Sequence, residues 1–197
     1  MRLKFVMLAA AGALVLAPVM QASAGESDSV LMGSPNALQQ CADAAARAVT
    51  SDVSVSRGIG FCDTAVEISR DRRDELSAAY VNRSVLRLAA GQYQGALADS
   101  DAAIHVKFVV PQAHINRGIA LSAEKRNQEA VVAFTEALAL NPSHPELVYF
   151  DRAMAREDSG DMKGAYLDYR QASQLAPTWD TPRQQLARFA VAHTPTS

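Results

Sequence analysis

The chain has 197 residues, of which 19 are basic and 21 acidic, and its formal net charge is −2 with histidines neutral. This length suits one domain with a sizeable core and requires no second domain. The slightly acidic balance argues against nucleic acid or anionic lipid as the main partner, because both favour a concentrated basic face.

The first 24 residues have the three parts of a secretory signal peptide. Arg2 and Lys4 precede an apolar run over residues 5–17, and small residues follow as far as Ala24. The run is shorter than the ~20 residues that span a bilayer, so an uncleaved anchor is the weaker alternative. Cleavage after Ala24 would remove two basic and no acidic residues, which leaves 17 and 21 and a charge of −4. We therefore predict a periplasmic or secreted protein whose mature chain does not insert into a membrane, with residues 25–33 as a flexible segment.

A pair of helices is predicted over residues 34–76. The first begins after Ser34-Pro35, since serine can cap a helix and proline suits its first turn. The mature chain has two cysteines, Cys41 and Cys62, and export would place them in an oxidising compartment where such a pair usually forms a disulfide. The alternative is two buried free thiols. Two cysteines without histidines close by do not complete a four-ligand shell, so no metal site is predicted.

A triplet recurs every 34 or 35 residues downstream, as Asn82-Arg83-Ser84, Asn116-Arg117-Gly118 and Asp151-Arg152-Ala153. A period of this length predicts a stack of helix pairs, each made of a helix A and a helix B. The repeats cover residues 77–110, 111–144 and 145–179, with Pro145 as one extra residue. Small residues hold the eighth, twentieth and twenty-seventh places of every repeat, where the two helices must approach closely; they are Ser84, Gly118, Ala153, Ala96, Ala130, Ala165, Ala103, Ala137 and Ala172.

This pattern resembles the tetratricopeptide repeat family, which also favours aromatic residues at the fourth, seventeenth and twenty-fourth places and proline at the thirty-second. The residues that fit are Tyr80, Tyr149, Phe134, Tyr169, Pro142 and Pro177, and the departures are His114, Asn127, Ser100 and Phe108. The resemblance implies an all-α fold, a right-handed solenoid of helix-turn-helix repeats, and the signal-like start suits export from a bacterial cell. It also implies a scaffold that binds protein without chemistry of its own.

Both ends of the repeat array are predicted to carry extra helices. The sequence Cys62-Asp63 echoes Ser100-Asp101, so residues 34–76 are interpreted as a degenerate leading helix pair, pinned by the disulfide. Residues 180–193 are predicted to form a terminal helix that covers the last repeat.

In the family, helix A lines the concave face and binds through its second, fifth, ninth and twelfth places. The resemblance therefore implies a mostly apolar groove that holds an extended or helical peptide, with Phe150 and Met154 as anchors. Asn82, Asn116 and Arg117 would add directional hydrogen bonds. The alternative is that the chain's own leading segment, or a second copy in a homodimer, fills the groove. The predicted groove residues are Val81, Val85, Leu88, Ile115, Ile119, Phe150, Met154, Asn82, Asn116 and Arg117.

Arginine holds the seventh place of every repeat. In two repeats an aspartate follows 16 residues later, which predicts the pairs Arg83–Asp99 and Arg152–Asp168. Repeat 2 has Ala133 at that spacing, so Arg117 is predicted to bond a neighbouring repeat through Asp99 or Asp151, or else a carboxylate on a partner.

No catalytic motif is recognisable. The four histidines are scattered, and His114 holds a core aromatic place, which favours a packed imidazole. There is no glycine-rich phosphate loop, nucleophile elbow or His-Glu-x-x-His. The sequence predicts no catalytic residue and no cofactor, with a hydrolytic enzyme as the distant alternative and an unidentified protein or peptide as the partner.

Overall fold

The structure is a computed structural model that describes residues 35–48 and 55–191. The predicted signal peptide and the segment 25–33 lie outside these ranges. All regular secondary structure within them is α-helical. The helices are α1 (Pro35–Ala48), α2 (Val55–Ile68), α3 (Arg73–Ala89), α4 (Tyr93–Val106), α5 (Pro111–Ala123), α6 (Asn127–Ala139), α7 (Pro145–Asp158), α8 (Met162–Leu175) and α9 (Asp180–Val191).

Consecutive helices pack as pairs, and the pairs stack. Helices α3 and α4 form repeat 1, α5 and α6 form repeat 2, and α7 and α8 form repeat 3. Each A helix also contacts the A helix of the next unit, which links α1, α3, α5 and α7 in succession, whereas successive B helices do not contact one another to that extent. The A helices are therefore the inner layer of an all-α solenoid.

Small side chains allow this close packing. The alanines at the twentieth and twenty-seventh places are fully buried in all three repeats. At the eighth place of repeat 2, a Cβ added to Gly118 would lie 2.6 Å from Cε1 of Phe134. That distance is shorter than real contacts allow, so the large ring on α6 requires glycine on α5.

The turn from helix A to helix B uses a left-handed residue in each repeat. Gly91, Lys125 and Gly160 have φ angles of 70°, 65° and 91°. Glycine adopts this conformation without a Cβ clash, whereas lysine is strained by it.

The leading pair, α1 and α2, is joined by the predicted disulfide. Cys41 and Cys62 are bonded, with their Cα atoms 4.7 Å apart. Both are fully buried in a cluster that includes Ala44 of α1 and Leu86 of α3. The disulfide therefore fixes the leading pair where it packs against repeat 1.

The terminal helix α9 packs against repeat 3. Leu186 and Phe189 rest on a buried cluster that contains Ala165 and Tyr169, and Trp179 joins them just before the helix begins. Within the described ranges, none of the helices combines the length and the apolar character needed to cross a bilayer.

Candidate functional site

The candidate site is the inner surface formed by the A helices α3, α5 and α7. At its middle, Ile115 and Ile119 lie one turn apart on α5 and are partly exposed. Their inward sides rest on the buried cluster that contains Leu88 and Leu121. This part of the surface is apolar and partly accessible, and its binding of a partner stays a prediction.

The predicted groove residues of α3 are not accessible. Val81, Val85 and Leu88 are all buried. Val85 belongs to the same cluster as Cys41 of the leading pair, whereas Val81 packs with Ala113 of repeat 2. The expectation of an open groove at repeat 1 is wrong because neighbouring units cover α3 from both sides. Coverage by the leading segment, the alternative interpretation, applies at Val85.

Phe150 is also covered, and its expected role as an exposed anchor is wrong. Only 4% of Phe150 is exposed. Its ring centroid lies 4.8 Å from that of Trp179 and 5.4 Å from that of Tyr169. The aromatic cluster places Phe150 in the core of repeat 3. Met154, one turn further along α7, stays partly exposed.

The two asparagines predicted to bind a partner are both buried, and Asn116 bonds the preceding A helix. Asn116 donates from Nδ2 to Oγ of Ser84 at 2.5 Å and to the carbonyl of Val81 at 3.4 Å. Asn116 is buried, and so is Asn82. The interaction of Asn116 joins α5 to α3, so its side chain supports the contact between repeats 1 and 2 and is not available to a partner in this arrangement.

Arg117 binds neither of the aspartates predicted for it. Its Nε donates to Oδ1 of Asp101 in repeat 1 at 2.8 Å. The other seventh-place arginines also reach the preceding unit: Arg83 donates to Asp63 of the leading pair and Arg152 to Thr135 of repeat 2. In repeats 1 and 2 the acceptors, Asp101 and Thr135, share the twenty-fifth place, and this recurrence is the sequence signal for the contact.

Repeats 1 and 3 each contain a buried aspartate between two arginines. Asp99 accepts hydrogen bonds from Arg83 and Arg87, which confirms the predicted Arg83 pair. Burial by itself would lower the pKa of the Arg83 guanidinium, but its bonds to Asp99 and then Asp63 raise that pKa above the ordinary value. Repeat 2 lacks this charge cluster because Ala133 takes the place of Asp99 and Leu121 that of Arg87.

Repeat 3 has the same cluster of one aspartate and two arginines as repeat 1. Asp168 accepts from Arg152 at 2.8 Å on each carboxylate oxygen, and from Arg156 at 2.8 Å. The predicted Arg152–Asp168 pair is therefore confirmed. These charges tie helix A to helix B within a repeat.

The titratable residues of the described ranges include no metal-binding cluster, and one histidine among them is packed. They contain no group of three or more histidine, cysteine, aspartate or glutamate residues placed to hold a metal ion. His114 is 1% exposed, and its two ring nitrogens each lie 3.1 Å from an oxygen, one of Glu136 and one of the Phe108 backbone. The imidazole is thus packed, as its place in the repeat predicted.

Two open notches lie at the turns between helices A and B. One, of about 460 Å³, is lined by Arg87, Tyr93 and Glu124 among others. The other, of about 280 Å³, includes Arg126 and Asp158. Both lie at one edge of the stack, apart from the apolar residues of the inner surface.

A comparison with protein families identifies the repeat. Residues 111–144, the bounds of repeat 2, match the family described as tetratricopeptide repeat. Repeat 2 is thus similar in sequence to a tetratricopeptide repeat. No curated protein matches it.

Solved tetratricopeptide structures share the fold. The structure named "MamA RS-1 ArsTM double mutant" aligns with a TM-score of 0.67 and 14% identity, over 84% of this chain and 88% of that one. TTC0263, a thermophilic TPR protein of Thermus thermophilus, aligns with a TM-score of 0.58 and 21% identity, over 77% and 80%. At these identities the likeness establishes the tetratricopeptide solenoid alone.

The tetratricopeptide fold suggests a protein–protein interaction scaffold, and proteins of this kind are generally non-catalytic. In this chain the accessible apolar part of the inner surface is smaller than the sequence predicted. It consists of the partly exposed residues Ile115, Ile119, Leu147 and Met154, which we call the inner strip.

Proposed function

We propose that this tetratricopeptide protein is a non-catalytic scaffold of the cell envelope that binds a peptide or protein segment on its inner strip. The observation that carries the proposal is the partial exposure of Ile119 and Met154 on neighbouring A helices, next to residues of the same face that are buried. Apolar side chains left accessible on a concave face favour a partner.

The size of the inner strip supports a peptide as the partner. Only two helices, α5 and α7, contribute to it, because α3 is covered. An extended or helical segment can place two or three apolar side chains on such a surface. Specificity would then come from the spacing of those side chains.

Location in the envelope is supported by two features. Residues 1–24 have the composition of a signal peptide, and the Cys41–Cys62 disulfide suits an oxidising compartment. Expression of the full chain in a bacterium should yield an envelope-fraction protein whose first residue is Gly25. A chain that keeps Met1 and stays in the cytosol would contradict this part of the proposal.

Site-specific photo-crosslinking tests the inner strip directly. A photoreactive amino acid at position 119 or 154 should crosslink a polypeptide in the envelope of the producing cell. The same residue at position 132 is the matched control, because Val132 is apolar and exposed on helix B of repeat 2, outside the inner strip. Circular dichroism of each purified variant checks that the fold is retained.

The outcome at the two kinds of position decides the proposal. Crosslinks to another polypeptide at 119 and 154, and none at 132, would support it. Crosslinks confined to position 132 would contradict it, as would a product of twice the chain's mass, which would show a second copy on the inner strip.

A further inference from the structure

Asp151 is the sixth residue of repeat 3 and is buried. Only 4% of it is exposed, and its Oδ2 atom has no hydrogen-bond partner. A buried polar atom without a partner is rare in folded proteins, because its lost hydration is not replaced. A carboxylate in this position is even less favourable than a neutral group.

The sixth place of the other repeats holds an amide instead, at Asn82 and Asn116. Asn116 uses its amide protons to bond Ser84 and the carbonyl of Val81 on the preceding A helix. Counting places, the counterparts for Asp151 are Gly118 and the carbonyl of Ile115. An ionised aspartate has no proton to give to a carbonyl, whereas a neutral one has a single O–H donor.

The hydroxyl partner is missing from repeat 2 for a steric reason. A side chain at position 118 would collide with the ring of Phe134. Serine is therefore excluded at position 118. Of the two acceptors that Asn116 uses, only the backbone carbonyl has a counterpart in repeat 2, at Ile115.

We propose that Asp151 is a proton-controlled link between repeats 2 and 3. The neutral carboxyl donates its proton to the carbonyl of Ile115, as Asn116 donates to Val81. Loss of that proton to solvent leaves a buried carboxylate without a donor, and α7 separates locally from α5. Because Ile115 and Met154 of the inner strip lie on these two helices, their spacing depends on the protonation of Asp151.

The electrostatic surroundings support this assignment. Burial raises the pKa of Asp151 to about 8, and no neighbouring charge contributes to the change. The charged and titratable groups on the packed helices α5, α6 and α8 are engaged elsewhere or exposed. The engaged pairs are His114–Glu136, Arg117–Asp101, Arg126–Glu129, Arg152–Asp168 and Tyr169–Glu157. Lys163, Tyr166 and Arg170 lie on the exposed side of α8.

The charged groups of α7 itself are also paired elsewhere or exposed. Arg156 bonds Asp168, Glu146 lies beside His144, Glu157 pairs with Arg188, and Arg152 also lies over the ring of Tyr149. Asp158 is exposed at the end of the helix. Within the described residues, then, Asp151 has no charged partner that would keep it ionised.

The sign of the pH effect follows from the two pKa values. The folded pKa of about 8 exceeds the ordinary aspartate value of 3.8. The contribution of the Asp151 carboxyl to the stability of the α5–α7 contact is therefore complete below about pH 4 and is lost as the pH rises through about 8. Over most of this window the equilibrium constant for opening the α5–α7 contact rises by about tenfold per pH unit.

Two measurements on the full chain test the link without any partner. Carbon-13 NMR of the Asp151 carboxyl, assigned by its absence in Asp151→Asn, should titrate with a midpoint near 8. Hydrogen exchange between pH 5 and pH 7, corrected for the intrinsic rates, should show increasing opening of α5 and α7 in the wild type. Asp151→Asn should abolish that increase, because its amide keeps a donor at every pH.

Asp158→Asn is the matched control, since it removes an exposed acid from the same helix. It should leave the exchange of α5 and α7 unchanged. A carboxyl midpoint near 4, or a pH dependence that Asp151→Asn retains, would overturn the proposal. Neither result would bear on whether the inner strip binds a peptide, since no partner is present in the test.

Discussion

Arg117 of repeat 2 donates to Asp101 of repeat 1, with 2.8 Å between Nε and Oδ1. Arg152, at the same place of repeat 3, also reaches the preceding repeat, through Thr135, but its ion pair is with Asp168 of its own repeat. The ion pairs of the two arginines therefore stabilise different contacts, although the arginines belong to one sequence motif. Their surroundings differ as well: the side chain of Asp101 is 53% exposed and that of Asp168 is 5% exposed.

This difference predicts unequal costs of removing the two ion pairs. Arg117→Ala should lower the free energy of unfolding by less than about 1 kcal/mol, because exposed pairs are screened by water. Asp168→Ala should lower it by about 3 to 5 kcal/mol, since Arg152 and Arg156 would keep partly buried charges without their acceptor. Urea unfolding followed by circular dichroism measures both. Equal losses of unfolding free energy in the two variants would show that burial does not set the cost of removing each pair.

Phe150 is predicted to stabilise the fold instead of binding a partner. Phe150→Ala should lower the free energy of unfolding by about 3 to 5 kcal/mol, because the ring packs against Trp179 and Tyr169. Trp179 is the only tryptophan of the chain, so its fluorescence should shift to longer wavelength as water reaches it. Met154→Ala, on the partly exposed side of α7, is the control and should cost less. An unchanged emission spectrum in Phe150→Ala would place the ring outside the core.

Loss of the disulfide should weaken the leading pair. The bridge closes a loop with a sequence separation of 21 residues. Replacing both Cys41 and Cys62 by alanine should lower the free energy of unfolding by about 3 kcal/mol, a value typical of such a loop. Wild type treated with a reductant should lose a similar amount. If the reduced protein and the oxidised protein unfold at the same urea concentration, the bridge does not stabilise the pair.

Gly118 is predicted to be sensitive to a single methyl group. Gly118→Ala should destabilise the protein by about 1 to 3 kcal/mol through its collision with Phe134. Adding Phe134→Leu should recover part of the loss, since the smaller side chain leaves room for the methyl group.

Gly60 provides the control for that substitution. It is an exposed glycine in α2, and an added Cβ would meet nothing within 4 Å. Gly60→Ala should raise stability by about 0.5 to 1 kcal/mol, because alanine restricts the unfolded chain. A loss at Gly60 as large as that at Gly118 would show that the Phe134 collision is not the cause.

Local rules acting on short spacings explain how much of the architecture could be predicted. The recurring triplet and the alanines seven places apart predicted the helix pairs. The intramolecular pairs Arg83–Asp99 and Arg152–Asp168 followed from a repeated spacing. These features could be predicted because the contacts within a repeat join residues at short spacings that recur from one repeat to the next.

The candidate site was predicted less well because accessibility depends on neighbouring units. The sequence places Val85, Ile119 and Phe150 on one face of helix A, and that face does line the inner layer. Val85 is nevertheless covered by the disulfide-bonded leading pair and Phe150 by Trp179. The spacing of residues within a repeat does not predict which of them a neighbouring segment will bury.

The sequence by itself therefore determined that this chain is a stack of helix pairs with small residues at their contacts, because a periodic pattern of alanine and glycine has few other ways to bury its apolar faces. Only the tertiary structure decided which inner residues meet solvent, which partner Arg117 takes, and that Asp151 lies where asparagine would keep a donor. Those properties arise from contacts between units, whose residues are far apart in the sequence. Each departure from the shared pattern changes the surface against which the next repeat packs.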